Sequence, residues 1–149
     1  MNILSHFNFE NVGQRIEDLE TPVPVIDIDV VGRNLRKWQA RCDELGLANR
    51  PHIKTHKLVA MAKAQLGLGA KGITVQKLGE AEVMADAGID DMLLTFNVVG
   101  RRKLERLAAL AKRTNISVVA DSREAEFSEQ DFRHLQCSAK QLPLHRRLA

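Results

Sequence analysis

The sequence holds only two cysteines, Cys42 and Cys137, too few for a disulfide framework and too far apart for a metal-type pair. A disulfide-stapled secreted scaffold and a Cys-based zinc module are thereby excluded, and a reducing cytoplasm is the expected location. No uninterrupted apolar run reaches the roughly 20 residues that span a bilayer. The opening stretch, MNILSHFNFENVGQRIEDLE, lacks the cationic segment and apolar run of an export signal. A soluble, unexported chain with no membrane partner is the expectation. Charge of one sign is missing too: 22 Lys and Arg stand against 19 Asp and Glu, scattered along the chain. A net charge of +3 and a pI of 9.1 therefore indicate no nucleic-acid partner. There is no GxxxxGK loop, HExxH or Cys/His cluster, so ATP-binding and zinc-protease readings have no support and no metal site is expected.

What is present is an ordinary globular composition, 44% apolar and 28% charged over 149 residues. A chain of that length forms one domain and buries about 70% of its unfolded surface. From Thr21, TPVPVIDID reads as a strand opened by prolines. VVGRNLRKWQARCDELG follows as a helix, with Val31, Leu35, Trp38, Cys42 and Leu45 at helical spacing. Pro51 forces its predecessor out of helical geometry, which predicts a short extended segment at RPHIKT. LVAMAKAQLGLGAKG is a helix closed by glycines suited to a left-handed cap. Then come GITVQ (strand), LGEAEVMADAG (helix), DMLLTF (strand), RRKLERLAALAKR (helix) and ISVVAD (strand). Parallel neighbours need crossover helices, so this alternation predicts an α/β fold, a parallel sheet or barrel of (βα) repeats.

The densest chemistry is Arg50-Pro51-His52-Ile53-Lys54-Thr55-His56-Lys57 at a predicted strand end. If the segment stays extended, His52, Lys54 and His56 project to one side. In a parallel barrel, catalytic side chains collect at the carboxyl ends of strands, which is where Lys54 stands. A lysine condenses with an aldehyde only as the free amine, a state favoured by burial and by positive neighbours; Arg50, His52, His56 and Lys57 supply the latter. By composition alone, the same octapeptide reads more readily as a basic surface loop that touches phosphate or water. Gln76 closes the GITVQ strand and is either a polar group at the barrel mouth or one that satisfies a helix start. Asp27 and Asp29 alternate as an acid-base pair would, but Asp29 is also placed to cap a helix. Glu80 and Glu82 are accounted for by the helix dipole. In RRKLERLAALAKR, Leu104, Leu107 and Ala111 form a core face and the charges a solvated one.

Taken in order, TPVPVID, RPHIKTHK and LGLGAKGITVQKLGEAEVMADAGIDDMLLTFNVVG resemble the start of the D-threonine aldolase and D-serine dehydratase family, relatives of alanine racemase, over roughly residues 20 to 121. The resemblance implies part of a TIM-type barrel of pyridoxal-phosphate fold type III. It implies that Lys54 binds pyridoxal 5'-phosphate covalently, with Gln76, His52 and His56 in cofactor-binding positions. A D-amino acid would be the substrate: D-threonine or a related D-β-hydroxy amino acid cleaved to glycine and an aldehyde, or D-serine losing its hydroxyl. The full-length family also uses a divalent metal, whose ligands are expected outside this chain.

The organisation that follows is an extension at 1–20, a partial barrel at 21–121 and an atypical tail at 122–149. The tail contains no Val, Ile, Met or Gly, and KQLPLHRRLA is a proline-interrupted end with no strand expected, such as a truncation or shifted frame leaves. Family members are much longer, so a half barrel with an unpaired last edge is expected, prone to self-association as a homodimer and doubtful as an active enzyme. The reading from another class is a non-catalytic α/β binding module that keeps the lysine segment as a basic loop.

Overall fold

The computed structural model describes Gly13, residues 15–119 and the backbone of Leu144 and His145. The repeating alternation is met by α1 (Ile28–Glu44), α2 (Val59–Gly67), β1 (Ile73–Val75), α3 (Leu78–Asp86), β2 (Asp91–Leu94), α4 (Arg101–Ala111), β3 (Asn115–Val119) and β4 (Leu144–His145). Short 3-10 turns occupy Ile16–Asp18 and Ile53–Thr55. The strands lie in the order β1-β2-β3-β4, each pair parallel. A parallel bridge between His52 and Thr74 lays the 50–52 segment along the other edge of β1. There the Thr74 N–H donates to Pro51 O at 2.8 Å and the Lys71 N–H to Asn49 O at 2.9 Å. Extended segments in chain order, joined up to β3 by helical crossovers, make the α/β parallel sheet of a partial barrel.

Register decides what is buried. Ile73, Met92 and Ile116 form one cross-strand row, and Val75, Leu94 and Val118 the next. All six are 0–1% exposed. Leu78, Ala81 and Met84 of α3 and Leu107, Ala108, Leu110 and Ala111 of α4 complete this core. Leu107 and Ala111 stand on the predicted face of α4, and Leu104 packs against the core partly buried. Thr74, Leu93 and Ser117 share the opposite face of the sheet, where Leu93 and Ser117 are only half-buried. An ion pair joins the two crossover helices, with Arg106 Nε donating to Glu82 Oε1 at 2.8 Å and Nη2 donating to Oε2.

The amino ends of the strands are pinned by an ion pair between Arg50 Nη1 and Asp91 Oδ1, 2.7 Å apart. The guanidinium passes directly over Gly72. A Cβ there would lie 2.7 Å from Asp91 O and 2.9 Å from Arg50 Cζ, closer than van der Waals contact allows. Gly72 is thus required by what crosses it, and not by an unusual φ.

Several sequence expectations are corrected. TPVPVIDID forms no strand: Pro22 and Pro24 have no N–H to give a ladder, and Val23, Val25 and Ile26 are exposed. Asp27, not Asp29, caps α1, its Oδ1 accepting from the N–H groups of Asp29 and Val30 at 2.9 Å each. Capping at 27 starts the helix within the supposed strand and removes the acid-base pair. On α1, Trp38 and Leu45 are 61% and 53% exposed, and the buried positions are Gly32, Gln39 and Cys42. The buried Gln39 amide is satisfied by donating to Asp43 and accepting from Asn49. In the tail, β4 pairs Val118 with Leu144 and Val119 with His145, so the end of β3 is not an open edge. Pro143 precedes that strand and does not interrupt it. The rest of the tail and most of the 1–20 extension lie outside the described residues.

Gly72→Ala should cost about 1–3 kcal/mol, the usual range for overpacking a filled position. The readout is a lowered melting temperature by circular dichroism; an unchanged melting curve would show that the Arg50–Asp91 pair moves aside freely.

Candidate functional site

All strands run the same way, so their carboxyl ends meet at one edge of the sheet. There the chain leaves the 50–52 segment through the 3-10 turn Ile53–Thr55. The turn is anchored by Ile53, which is fully buried in the core. Its next residue, Lys54, is exposed, and its ammonium forms no ion pair among the described residues. An apolar anchor and an exposed lysine on adjacent residues of a one-turn element place Lys54 at the edge of the sheet.

His52 holds the turn from below. Its Nδ1 accepts the Lys54 N–H at 3.2 Å, so the proton of the neutral ring resides on Nε2. Nε2 lies 3.4 Å from Thr95 Oγ1, and that hydroxyl donates to Val75 O at 3.2 Å. With its own hydrogen committed to Val75, the Thr95 oxygen is left to accept from the imidazole. The chain Lys54 N–H, His52, Thr95, Val75 thus ties the lysine turn across β1 to the end of β2. Thr95 was not foreseen in the sequence; as one threonine in DMLLTF, it carried no signal until the strands were set side by side.

Gln76 follows the last residue of β1. Its backbone N–H donates to Glu80 Oε2 at 2.9 Å, and the Lys77 N–H donates to the same oxygen at 3.3 Å. Gln76 borders a cavity of about 270 Å³ shared with Lys77, Leu94, Phe96 and Lys103. Glu80 Oε1 lies 3.3 Å from Lys57 Nζ. Burial pushes the Glu80 carboxyl up, but the Gln76 and Lys77 N–H groups and Lys57 together hold it below the usual carboxylate value. Glu80, read from sequence as a dipole residue alone, is the junction of two loops.

His56 goes elsewhere. The segment does not stay extended, so His52, Lys54 and His56 do not share one side. The half-buried His56 ring accepts the Leu58 N–H on Nδ1 at 3.0 Å, while its buried Nε2 and the buried Gln65 Oε1 of α2 make no hydrogen bond of good geometry. Burial lowers its pKa, and the nearby Gln65 side chain opposes that only in part. The positive surroundings expected for Lys54 are also largely neutralised: Arg50 is paired with Asp91 and Lys57 with Glu80. No helix among the described residues is long and apolar enough to cross a membrane.

Comparison with known proteins matches this arrangement. The model of the alanine racemase N-terminal domain fits residues 26–142. The chain belongs to the alanine racemase N-terminal domain family. It is 42% identical over 110 residues to a D-threonine aldolase of an Arthrobacter species, covering 74% of this chain and 29% of that one. Identity is 39% over 104 residues to the D-threo-3-hydroxyaspartate dehydratase of a Delftia species, covering 70% and 27%. The crystal structure of D-threonine aldolase from Filomicrobium marinum superposes with a TM-score of 0.75 at 38% identity, covering 83% of this chain and 34% of that one. The resemblance read from RPHIKTHK and its flanking motifs is borne out, as is the partial-barrel fold. The chain spans less than a third of the length of the curated relatives it matches.

The lowered His56 pKa has a definite sign for stability. Below its ordinary value of 6.5 the unfolded chain takes up a proton that the folded chain resists, so stability falls as pH drops. Glu80 adds a second loss below its ordinary 4.5, because its folded carboxyl stays ionised to lower pH than the unfolded one. Urea midpoints measured across this range should fall in two stages, and His56→Gln should flatten the upper one. An upper stage that persists in His56→Gln would assign it to another group.

Proposed function

We propose that this chain carries the lysine that binds pyridoxal 5'-phosphate in a lyase of the D-threonine aldolase type. The observation that carries the reading is the setting of Lys54: an exposed amine without a carboxylate partner among the described residues, held over the carboxyl edge of a parallel sheet. A primary amine on a turn whose backbone is tied to the His52 imidazole, and through it to the Thr95 hydroxyl, suits the aldehyde-bearing end of that cofactor, so the residues present fit the group. The kinship with proteins named as aldolases and dehydratases supports the lyase class.

Each residue has a separate task in this reading. Lys54 supplies the nucleophilic amine. His52, through its hydrogen bonds to the Lys54 N–H and Thr95, keeps that turn in one conformation. Gln76 offers an amide at the adjoining strand end. His56, whose ring accepts the Leu58 N–H and lies near Gln65 of α2, supports the turn in this reading. Once bound, the cofactor supplies an electron sink for bond breaking next to the amino-bearing carbon. The substrate proposed is D-threonine or a related D-β-hydroxy amino acid, with a divalent metal held by residues outside this chain. Loss of the hydroxyl from D-serine or hydroxyaspartate would begin from the same amino group, and Lys54 would have the same role.

The test is titration with pyridoxal phosphate followed by borohydride trapping and peptide mapping. An absorbance band above roughly 400 nm, where such conjugates absorb, and one reduced adduct on Lys54 are expected; both should vanish in Lys54→Ala. Labelling spread evenly over the other surface lysines, with no preference for Lys54, would overturn the proposal in favour of a basic loop on a binding module.

A further inference from the structure

Lys57 is three residues beyond Lys54 and has a φ of 55°, in the left-handed region that side chains other than Gly, Asn and Asp rarely adopt. Its N–H donates to Ile53 O at 2.8 Å, and the His56 N–H donates to the same oxygen at 3.2 Å, so this conformation closes the lysine turn. Glycine or asparagine would hold that backbone at lower cost. What lysine adds is an ammonium that reaches Glu80 Oε1.

Glu80 is more than a helix cap. A cap needs only the oxygen that accepts from the backbone, here Oε2 with the Gln76 and Lys77 N–H groups. The other oxygen is buried without a hydrogen bond of good geometry and has the Lys57 ammonium as its ionic partner. The Glu80 side chain is 10% exposed and that of Lys57 55%, so the carboxylate is fixed within the fold and the lysine reaches in to it. One carboxylate therefore joins the corner between β1 and α3 to the turn that bears Lys54.

We propose that Glu80 and Lys57 are positioning residues, a charge clamp that holds the Lys54 turn against the Gln76 corner. The consequence for the cofactor rests on the reading of Lys54 given above; the clamp itself does not. If capping were the only role of Glu80, removing the Lys57 charge would leave the turn undisturbed. If the clamp operates, the charge matters and an arginine replaces it.

Amide hydrogen exchange by mass spectrometry, on the whole chain without cofactor, separates these cases. Lys57→Asn tolerates the left-handed backbone and removes the ammonium. It should speed exchange over residues 53–58 by roughly three- to tenfold, the effect of losing a partly buried ion pair. Lys57→Arg should restore the slow exchange, and Glu80→Gln, which can still cap, should resemble Lys57→Asn. The rate of Lys54 trapping by pyridoxal phosphate should follow the same order. Exchange over 53–58 unchanged in Lys57→Asn would overturn the clamp. Altered exchange with no adduct in the unmodified chain would instead uphold the clamp and sink the cofactor reading. Altered exchange with wild-type trapping would deny the clamp any influence on Lys54.

Discussion

Parallel pairing is the constraint on which the rest of this structure depends. Strands that run one way need helices between them, and those helices seal the rows formed by Ile73, Met92 and Ile116 and by Val75, Leu94 and Val118. The same polarity separates two edges of the sheet. Gly72, Arg50 and Asp91 gather at the amino ends, Lys54, Gln76 and Thr95 at the carboxyl ends. The first edge is closed by an ion pair over a glycine with no room for a Cβ; the second is left with an exposed amine. The Arg50–Asp91 ion pair and the exposed Lys54 thus lie at opposite ends of the same strands.

Charge is distributed in keeping with that division. The octapeptide from Arg50 to Lys57 is among the most basic stretches of the chain, yet its cations have different fates. Arg50 and Lys57 each meet a carboxylate supplied by a distant part of the sequence, Asp91 and Glu80, and burial disfavours the charged form of His56. Lys54 is left without an ionic partner among the described residues. What looks in one dimension like a positive patch becomes, once folded, a set of neutralised groups around one amine. This arrangement offers a polyanion fewer unpaired cations than the octapeptide's composition suggests.

Much of this was legible beforehand. The alternation of GITVQ, LGEAEVMADAG, DMLLTF and RRKLERLAALAKR states the βα rhythm because each segment carries its own periodicity, and the strands and helices follow it. RPHIKTHK drew attention as a candidate site because its residue types are uncommon in that order. The errors have local physical causes. In TPVPVIDID the β-branched residues suggested a strand, but two missing N–H groups and the Asp27 cap prevailed. On α1, helical spacing singled out an apolar stripe without showing that only part of it would be covered, which left Trp38 exposed. The tail's composition concealed β4, because a two-residue strand needs little more than a free neighbouring edge.

By itself the sequence determined the local elements, the absence of competing motifs and the position of Lys54 at the end of an extended segment. These depend on residues close together in the chain, where periodicity, proline and capping act directly. Only the tertiary structure decided that His52 reaches Thr95, that His56 turns away to Gln65, and that Glu80 joins Lys57 to the Gln76 corner. Those pairings are 43, 9 and 23 positions apart in sequence. Their partners are ordinary residues whose roles arise from the register of parallel strands and the orientation of the helices between them.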